Sequence, residues 1–202
     1  MAQNGGTEGA APKARALRAD AQRNEDRVLE AAAAAFARDG ADASVKDIAR
    51  AAGVGVGTVY RRFPSKELLI EAIYRREVQI LCDAAPELAA ASPPAEALRA
   101  WMERFIEFMA AKQAMAEALR VILTDDDERL QTRALLADAI GVLLAAGAGG
   151  GVVREQVGAY DVLMALGGIS VIAGTESQPD LTTRLIDLLL HGVLAPGGSG
   201  AS

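Results

Sequence analysis

Residues 44–66 read SVKDIARAAGVGVGTVYRRFPSK, and this stretch constrains the fold more than any other. Ser44 is a favourable N-cap, and Asp47 three residues later gives a capping-box-like start. Ile48, Ala49 and Ala52 form an apolar stripe at helical spacing. Gly53 follows at once, where a helix end needs a residue that tolerates positive φ. Val54 then returns the chain to the core. The spacing predicts a second helix over roughly Val56 to Phe63. Val59 and Phe63 share its inward face, and Thr58, Arg61 and Arg62 share an outward one. Ala49 is small where the two helices must cross closely. Two short helices joined by a glycine turn make a helix-turn-helix.

The outward face carries nucleic-acid chemistry. Arg61 or Arg62 suits a bidentate pair of hydrogen bonds to guanine O6 and N7. Thr58 suits a phosphate oxygen or a thymine methyl, and Tyr60 offers its hydroxyl to a phosphate. Pro64 ends the helix, Ser65 caps the next one, and Lys66 lies in that helix's first turn. A lysine there opposes the helix dipole unless an anion sits at the terminus, and a DNA phosphate satisfies both groups. The pattern points to a protein that enters the major groove of double-stranded DNA. A surface loop with solvated charges is the alternative.

Residues 20–80 resemble the DNA-binding domain of the TetR family of bacterial transcription regulators. The resemblance is carried by Val28-Leu29-Glu30 with Ala31-Ala32, by Phe36, Gly40 and Ile48-Ala49, and by AAGVGVGTVYRRF and PSKELL. It implies that Ser44, Val45 and Lys46 lie near the phosphate backbone and that Lys66 touches a phosphate. It also implies that Val56, Gly57, Thr58, Tyr60, Arg61 and Arg62 form the recognition helix. Many relatives carry Ser at the position of Gly55 and a longer polar or basic residue at that of Val56. Both contacts are missing here, so little base readout is expected from the helix's first turn.

Composition fits this reading. Hydrophobic residues make up 51% of the 202-residue chain, much of it Ala and Leu, while aromatics make up only 4%. That profile suits an all-α protein with core enough for one larger or two smaller domains. The net charge of -6 at first opposes nucleic-acid binding. Its distribution answers the objection. Residues 1–80 hold 13 Lys and Arg against 11 Asp and Glu, whereas residues 81–202 hold 8 against 16. Attraction to phosphate depends on the charge of the DNA-facing part. The chain has no uninterrupted apolar run of about 18 residues, and its N-terminus lacks a signal-peptide pattern. A single Cys excludes an intramolecular disulfide framework. A soluble protein of the bacterial cytoplasm, with no membrane partner, is expected.

The chain divides into four expected parts: a disordered tail at 1–19, a DNA-binding domain at 20–66, a helical ligand-binding and dimerisation domain at 67–194, and a disordered tail at 195–202. Lys13, Arg15 and Arg18 form either a basic arm for a minor groove or a solvated tail. A first helix is predicted over roughly Asp20 to Arg38, ending at Gly40. A fourth is predicted over Lys66 to about Ala84. Pro86, Pro93 and Pro94 punctuate the next stretch, and a fifth helix starts near Ala95. A helical piece over about Lys112 to Leu123 follows. The acidic run at 125–128 then begins a helix whose apolar positions include Leu130, Leu135, Leu136, Ile140 and Leu144. Two more helices, at about 156–173 and 180–194, close the fold.

The second half is similar to the C-terminal domain of the SbtR-like branch of the same family, through PAEALRAWMERFIEFMAAKQAMAEAL. The resemblance implies a homodimer in which the last two helices pack against their twins. Gly167, Gly168, Ser170, Ala173 and Gly174 are small enough for close helix approach, and Leu185, Leu188 and Leu189 supply the facing apolar positions. It also implies a pocket for a small-molecule effector. Trp101, Phe105, Phe108, Met109, Met115, Tyr160 and Met164 are the candidate lining residues, and each equally suits an ordinary core.

His191, the only histidine, has no metal-ligating companions, and Cys82 has no neighbour that activates a thiolate. No phosphate-binding loop, dinucleotide fingerprint or nucleophile elbow is present. No catalytic residue, metal or cofactor is expected, and the chain is not read as an enzyme. The expectation is a sequence-specific transcriptional regulator. It acts as a repressor on a near-palindromic operator and is released by a small apolar or amphipathic effector. The alternatives are redox control through Cys82 and an effector-independent DNA-binding protein.

Overall fold

The computed structural model describes residues 10–116, 119–120, 126–173 and 180–196, with side chains described from Ala19 onward except at 41, 126 and 128. The side chains of Lys13, Arg15 and Arg18, most of the acidic run at 125–128, Gly174 and the end of the chain from 197 lie outside the described residues.

Among the described residues, eight α-helices have defined bounds: α1 (Ala10–Asp39), α2 (Val45–Ala51), α3 (Val56–Arg62), α4 (Lys66–Ala91), α5 (Pro94–Ala114), α6 (Asp126–Ala148), α7 (Ala159–Ala173) and α8 (Leu181–Val193). A 3-10 turn, Gly40–Asp42, joins α1 to α2. The described residues hold no strand beyond one antiparallel bridge between Val153 and Leu194. The all-α architecture is the one expected.

Two helices are longer than the sequence pattern predicts. α1 begins at Ala10, ten residues before the expected Asp20, so residues 10–19 of the expected tail are helical. The segment is rich in alanine, the strongest helix former. Pro12 falls in the first turn, where its missing N–H has no intrahelical partner to lose. α4 continues to Ala91 through Pro86. An interior proline costs roughly 3 kcal/mol. The alanine-rich flanks, and the burial of Leu81, Ala84 and Ala85 one turn earlier, hold the helix together across it.

Two compact units result, Met1–Ile73 and Tyr74–Ser202, so α4 contributes to both. This division lies seven residues beyond the boundary read from the sequence, and the buried Leu69, Ile70 and Ile73 on the first turns of α4 fall on the first unit's side of it. The core of that unit comes from Ala32 and Phe36 of α1, Ile48 and Ala49 of α2, and Val59 of α3.

The second unit packs α5, α6, α7 and α8 against one another. Trp101, Leu98, Ile140, Leu143 and Leu166 are among its most deeply buried side chains. The stretch Arg129–Ala148 is long and apolar enough to cross a membrane by length and composition alone. Here it is a packed helix, with Leu136, Ala139, Ile140, Leu143 and Leu144 buried. Of the apolar positions read along this helix, Leu130 and Leu135 are exposed. Gly147 at the end of α6 permits close approach, since a Cβ there would stand 2.4 Å from a methyl of Val153. Beyond it, Arg154 N donates to Val193 O at 3.0 Å and Ala195 N donates to Val152 O at 2.9 Å. The start of the expected C-terminal tail is therefore hydrogen-bonded to the segment that follows α6.

Candidate nucleic-acid interface and effector cavity

The turn between α2 and α3 has the geometry its residues demand. Gly53 adopts φ +67. Its N–H donates to Arg50 O at 3.1 Å, and Val54 N–H donates to Ala49 O at 3.0 Å. This pair of bonds is a Schellman motif, which fixes the exit angle of α2. Ser44 occupies the N-cap of α2 with extended backbone, but its hydroxyl makes no capping bond. Asp47 pairs with Arg50 at 2.7 Å instead of closing a capping box.

On α3, Val59 and Phe63 are buried while Val56, Gly57, Thr58, Tyr60, Arg61 and Arg62 are exposed. The two arginines differ sharply in their commitments. Arg62 donates from Nε and Nη2 to the two carboxylate oxygens of Glu25 on α1, at 2.8 and 2.7 Å. Glu25 holds that guanidinium still more firmly in its charged form. Arg61 has no ion-pair partner among the described residues, and helical phase places it roughly opposite the buried Val59–Phe63 face. Lys46, at the start of α2, is also exposed and unpaired among the described residues. Lys66 sits with its ammonium 5.4 Å from the centre of the Phe36 ring. The N-terminal charge of α4 is partly met from within. Bonds to its own backbone and to Ser65 lower the Glu67 carboxyl below its ordinary range. Ser65 Oγ accepts from Leu68 N–H at 3.3 Å.

In the second unit an aromatic row runs through Trp101, Phe105, Phe108 and Tyr74, with ring centres 5.7–6.2 Å apart. Trp101 is fully buried, and its Nε1–H donates to Leu81 O at 2.9 Å. Beside the row lies a cavity of about 170 Å³. Of the candidate lining residues, Phe105, Phe108, Met109 and Met164 border it. Trp101 and Met115 are core residues outside it, and Tyr160 is half exposed on α7. The sequence reading missed Tyr74, Leu136, Leu163 and three cations, Lys112, Arg129 and Arg133. Part of that signal was available: Lys112 stands one turn after Phe108, and Arg129 and Arg133 are four apart on one helix face.

Known proteins share both halves of this arrangement. Residues 28–73 match the bacterial regulatory proteins of the tetR family, and residues 93–195 match the C-terminal domain of SbtR-like transcriptional regulators. A TetR transcriptional regulator from Streptomyces coelicolor is 46% identical, over 84% of this chain and 98% of its own, with a TM-score of 0.75. The chain belongs to the TetR family of transcriptional regulators. A TetR regulatory protein from Mycobacterium vanbaalenii is 34% identical over 89% of this chain and 99% of its own, with a TM-score of 0.73. A protein tied to control of antibiotic production by bacterial hormones is 25% identical over 85% of this chain and 97% of its own, with a TM-score of 0.62.

The anticipated dimer residues of this TetR-family regulator differ in exposure. Gly168 and Leu188 are exposed, and Gly167, Ala173, Leu185 and Leu189 are half-buried. Ser170 is buried, and its hydroxyl donates to Gly167 O at 2.7 Å within its own helix, so it faces the subunit interior. A Cβ at Gly167 or Gly168 would meet nothing within 4 Å in the chain. Packing inside the subunit therefore does not require glycine at either position. His191 Nδ1 lies 2.7 Å from Asp187 O.

Cys82 donates from Sγ to Leu135 O at 3.7 Å. Burial, then the charges of Asp83 and Asp138, push its thiol above the ordinary range. A thiol held protonated is a poor target for oxidants. Cys82→Ser is expected to leave DNA binding and its response to peroxide unchanged, as read by operator gel shift with and without oxidant.

Proposed function

We propose that this TetR-family regulator is a repressor acting in the bacterial cytoplasm. It binds as a homodimer to a near-palindromic operator and lets go when a small effector enters the second unit. The observation that carries the reading is the combination of an exposed Arg61, without an ion pair among the described residues, in the last turn of α3 and a cavity lined in part by α4. In this scheme each α3 enters a major groove, with half-site centres about 34–36 Å apart. Arg61 reads a base edge. Thr58, Tyr60, Ser44, Val45, Lys46 and Lys66 contact or flank phosphates, and Val56 and Gly57 line the groove. Arg62 positions α3 through Glu25.

Two features support effector control. The cavity is lined mainly by apolar side chains with a few polar ones, the usual make-up of a small-molecule site. The chain also shares its fold with a protein tied to bacterial-hormone control of antibiotic production. Tyr74, on α4, lines the cavity, and the same helix begins at Lys66 beside the recognition helix. A ligand that prefers one position of α4 shifts the DNA-binding equilibrium by its differential affinity, typically about 1–3 kcal/mol.

The test is selection of bound sequences from random duplexes, followed by footprinting of the best one. A two-fold-related pair of half-sites one helical turn apart supports the proposal. Binding without sequence preference, or at a single unrepeated site, rejects it.

A further inference from the structure

We infer that the cavity beside the aromatic row takes a small organic anion, with a compact apolar body and a carboxylate or similar acid group. The inference deepens the proposed effector control and rests on it for its regulatory meaning. Its physical basis is the distribution of charge around one cavity. Residues 81–202 are acidic, with 8 Lys and Arg against 16 Asp and Glu. Yet Lys112, Arg129 and Arg133, three of those eight cations, line the same cavity, and no carboxylate lines it among the described residues. Chance placement on an acidic domain does not readily produce that set.

The three groups arrive from two helices. Lys112 comes from the last turn of α5, and Arg129 and Arg133 come from one face of α6. The ammonium of Lys112 lies 5.5 Å from the centre of the Tyr74 ring, so it is held over an aromatic face. Its proton is held less firmly than usual. Burial is the main cause, and the charges of Arg133 and Arg129 add to it. An ammonium that is half-buried and repelled by two guanidinium groups gains from a negative charge placed among them.

The rest of the wall is apolar: Phe105, Phe108, Leu136 and Leu163 offer rings and branched aliphatics to the ligand's body. The volume, about 170 Å³, lies below the roughly 300–1,000 Å³ of sites for drug-sized ligands. The body is therefore a single ring or a short chain. Thr132, also in the wall, adds a hydroxyl beside the cations. A second, shallower cavity of about 450 Å³ shares Met109, Lys112 and Arg129 and adds Arg120, which extends the positive surface toward solvent.

The experiment compares 3-phenylpropionate with its neutral amide, 3-phenylpropionamide, on the full-length protein. Binding is followed by calorimetry and by fluorescence of Trp101, the only tryptophan. Operator release is measured separately by anisotropy. The acid is expected to bind about tenfold more tightly than the amide. Lys112→Gln and Arg133→Gln should each erode that preference while leaving amide affinity within about twofold. Arg133 is exposed, so its variant keeps the test valid should Lys112→Gln fold poorly. Equal affinity for acid and amide overturns the inference. So does a preference that survives both substitutions, or no binding of either compound in the millimolar range. Acid binding without operator release upholds the anion site and rejects effector control. Release by the amide as readily as by the acid upholds effector control and rejects the anion site.

Discussion

Arg61→Ala is expected to weaken binding to the selected operator by about 1–3 kcal/mol and to relax the preference at one base pair of each half-site. The size follows from losing a bidentate contact to guanine, the commonest specific side-chain contact in the major groove. Arg62→Ala is expected to behave differently. Its guanidinium is already forked onto Glu25, and exposed pairs of this kind contribute at most about 1 kcal/mol. Its loss loosens the seat of α3 on α1 and weakens every sequence by a similar, smaller factor. Glu25→Gln should reproduce that effect, and the double variant should add little to either single one. Lys46→Ala should leave preference intact and reduce the slope of log affinity against log salt by about one. Anisotropy titrations on the operator and its single-base variants, at several salt concentrations, separate the three behaviours. If Arg62→Ala relaxes specificity at one base while Arg61→Ala weakens all sequences alike, the two roles are reversed.

The contrast between these neighbouring arginines shows where sequence reasoning stops. Local structure was legible wherever one residue type answers one backbone need. Gly53 takes the positive φ that only a glycine-like residue accepts there, and α3 runs from Val56 with Phe63 as its C-cap. Helical periodicity likewise placed Val59 and Phe63 inward. What the pattern could not supply was the partner 37 residues away. Arg61 and Arg62 look alike in the sequence, and only the folded chain brings Glu25 to one of them. The cavity repeats the lesson. Phe105, Phe108, Met109 and Met164 were accessible as apolar candidates, but nothing in the sequence singles out Lys112 and Arg133 before two helices bring them to one space. Which apolar positions of α6 face inward was not legible for another reason: Leu130 and Leu135 are exposed while Leu136 and Ile140 are buried. A helix of 23 residues with apolar side chains on most of its circumference does not announce which stripe faces inward.

Leu188→Arg is expected to abolish the dimer and, with it, nearly all operator binding. Leu188 is 70% exposed on α8, the most exposed of the large apolar residues described. Val171 and Ile172 on the adjoining α7 are 57% and 46% exposed. Gly168 on the same helix has open space where a Cβ would stand. Exposed apolar side chains beside glycines that the subunit's own packing does not need fit a surface made for close contact with a second copy. A two-fold interface contains each residue twice, so one substitution places two guanidinium groups in a desolvated contact. Because Leu188 packs against little in its own subunit, helical content by circular dichroism should be unchanged. The penalty for DNA binding is much larger than the loss of one contact. In a dimer the second recognition helix meets its half-site at a high effective concentration, and separation forfeits a factor of about 10²–10⁴. Light scattering after size exclusion reads the mass, and operator anisotropy reads the affinity. A variant that stays dimeric and binds DNA normally would move the interface away from α7 and α8. It would then leave Gly168, Val171 and Leu188 as a surface whose exposure needs another physical cause.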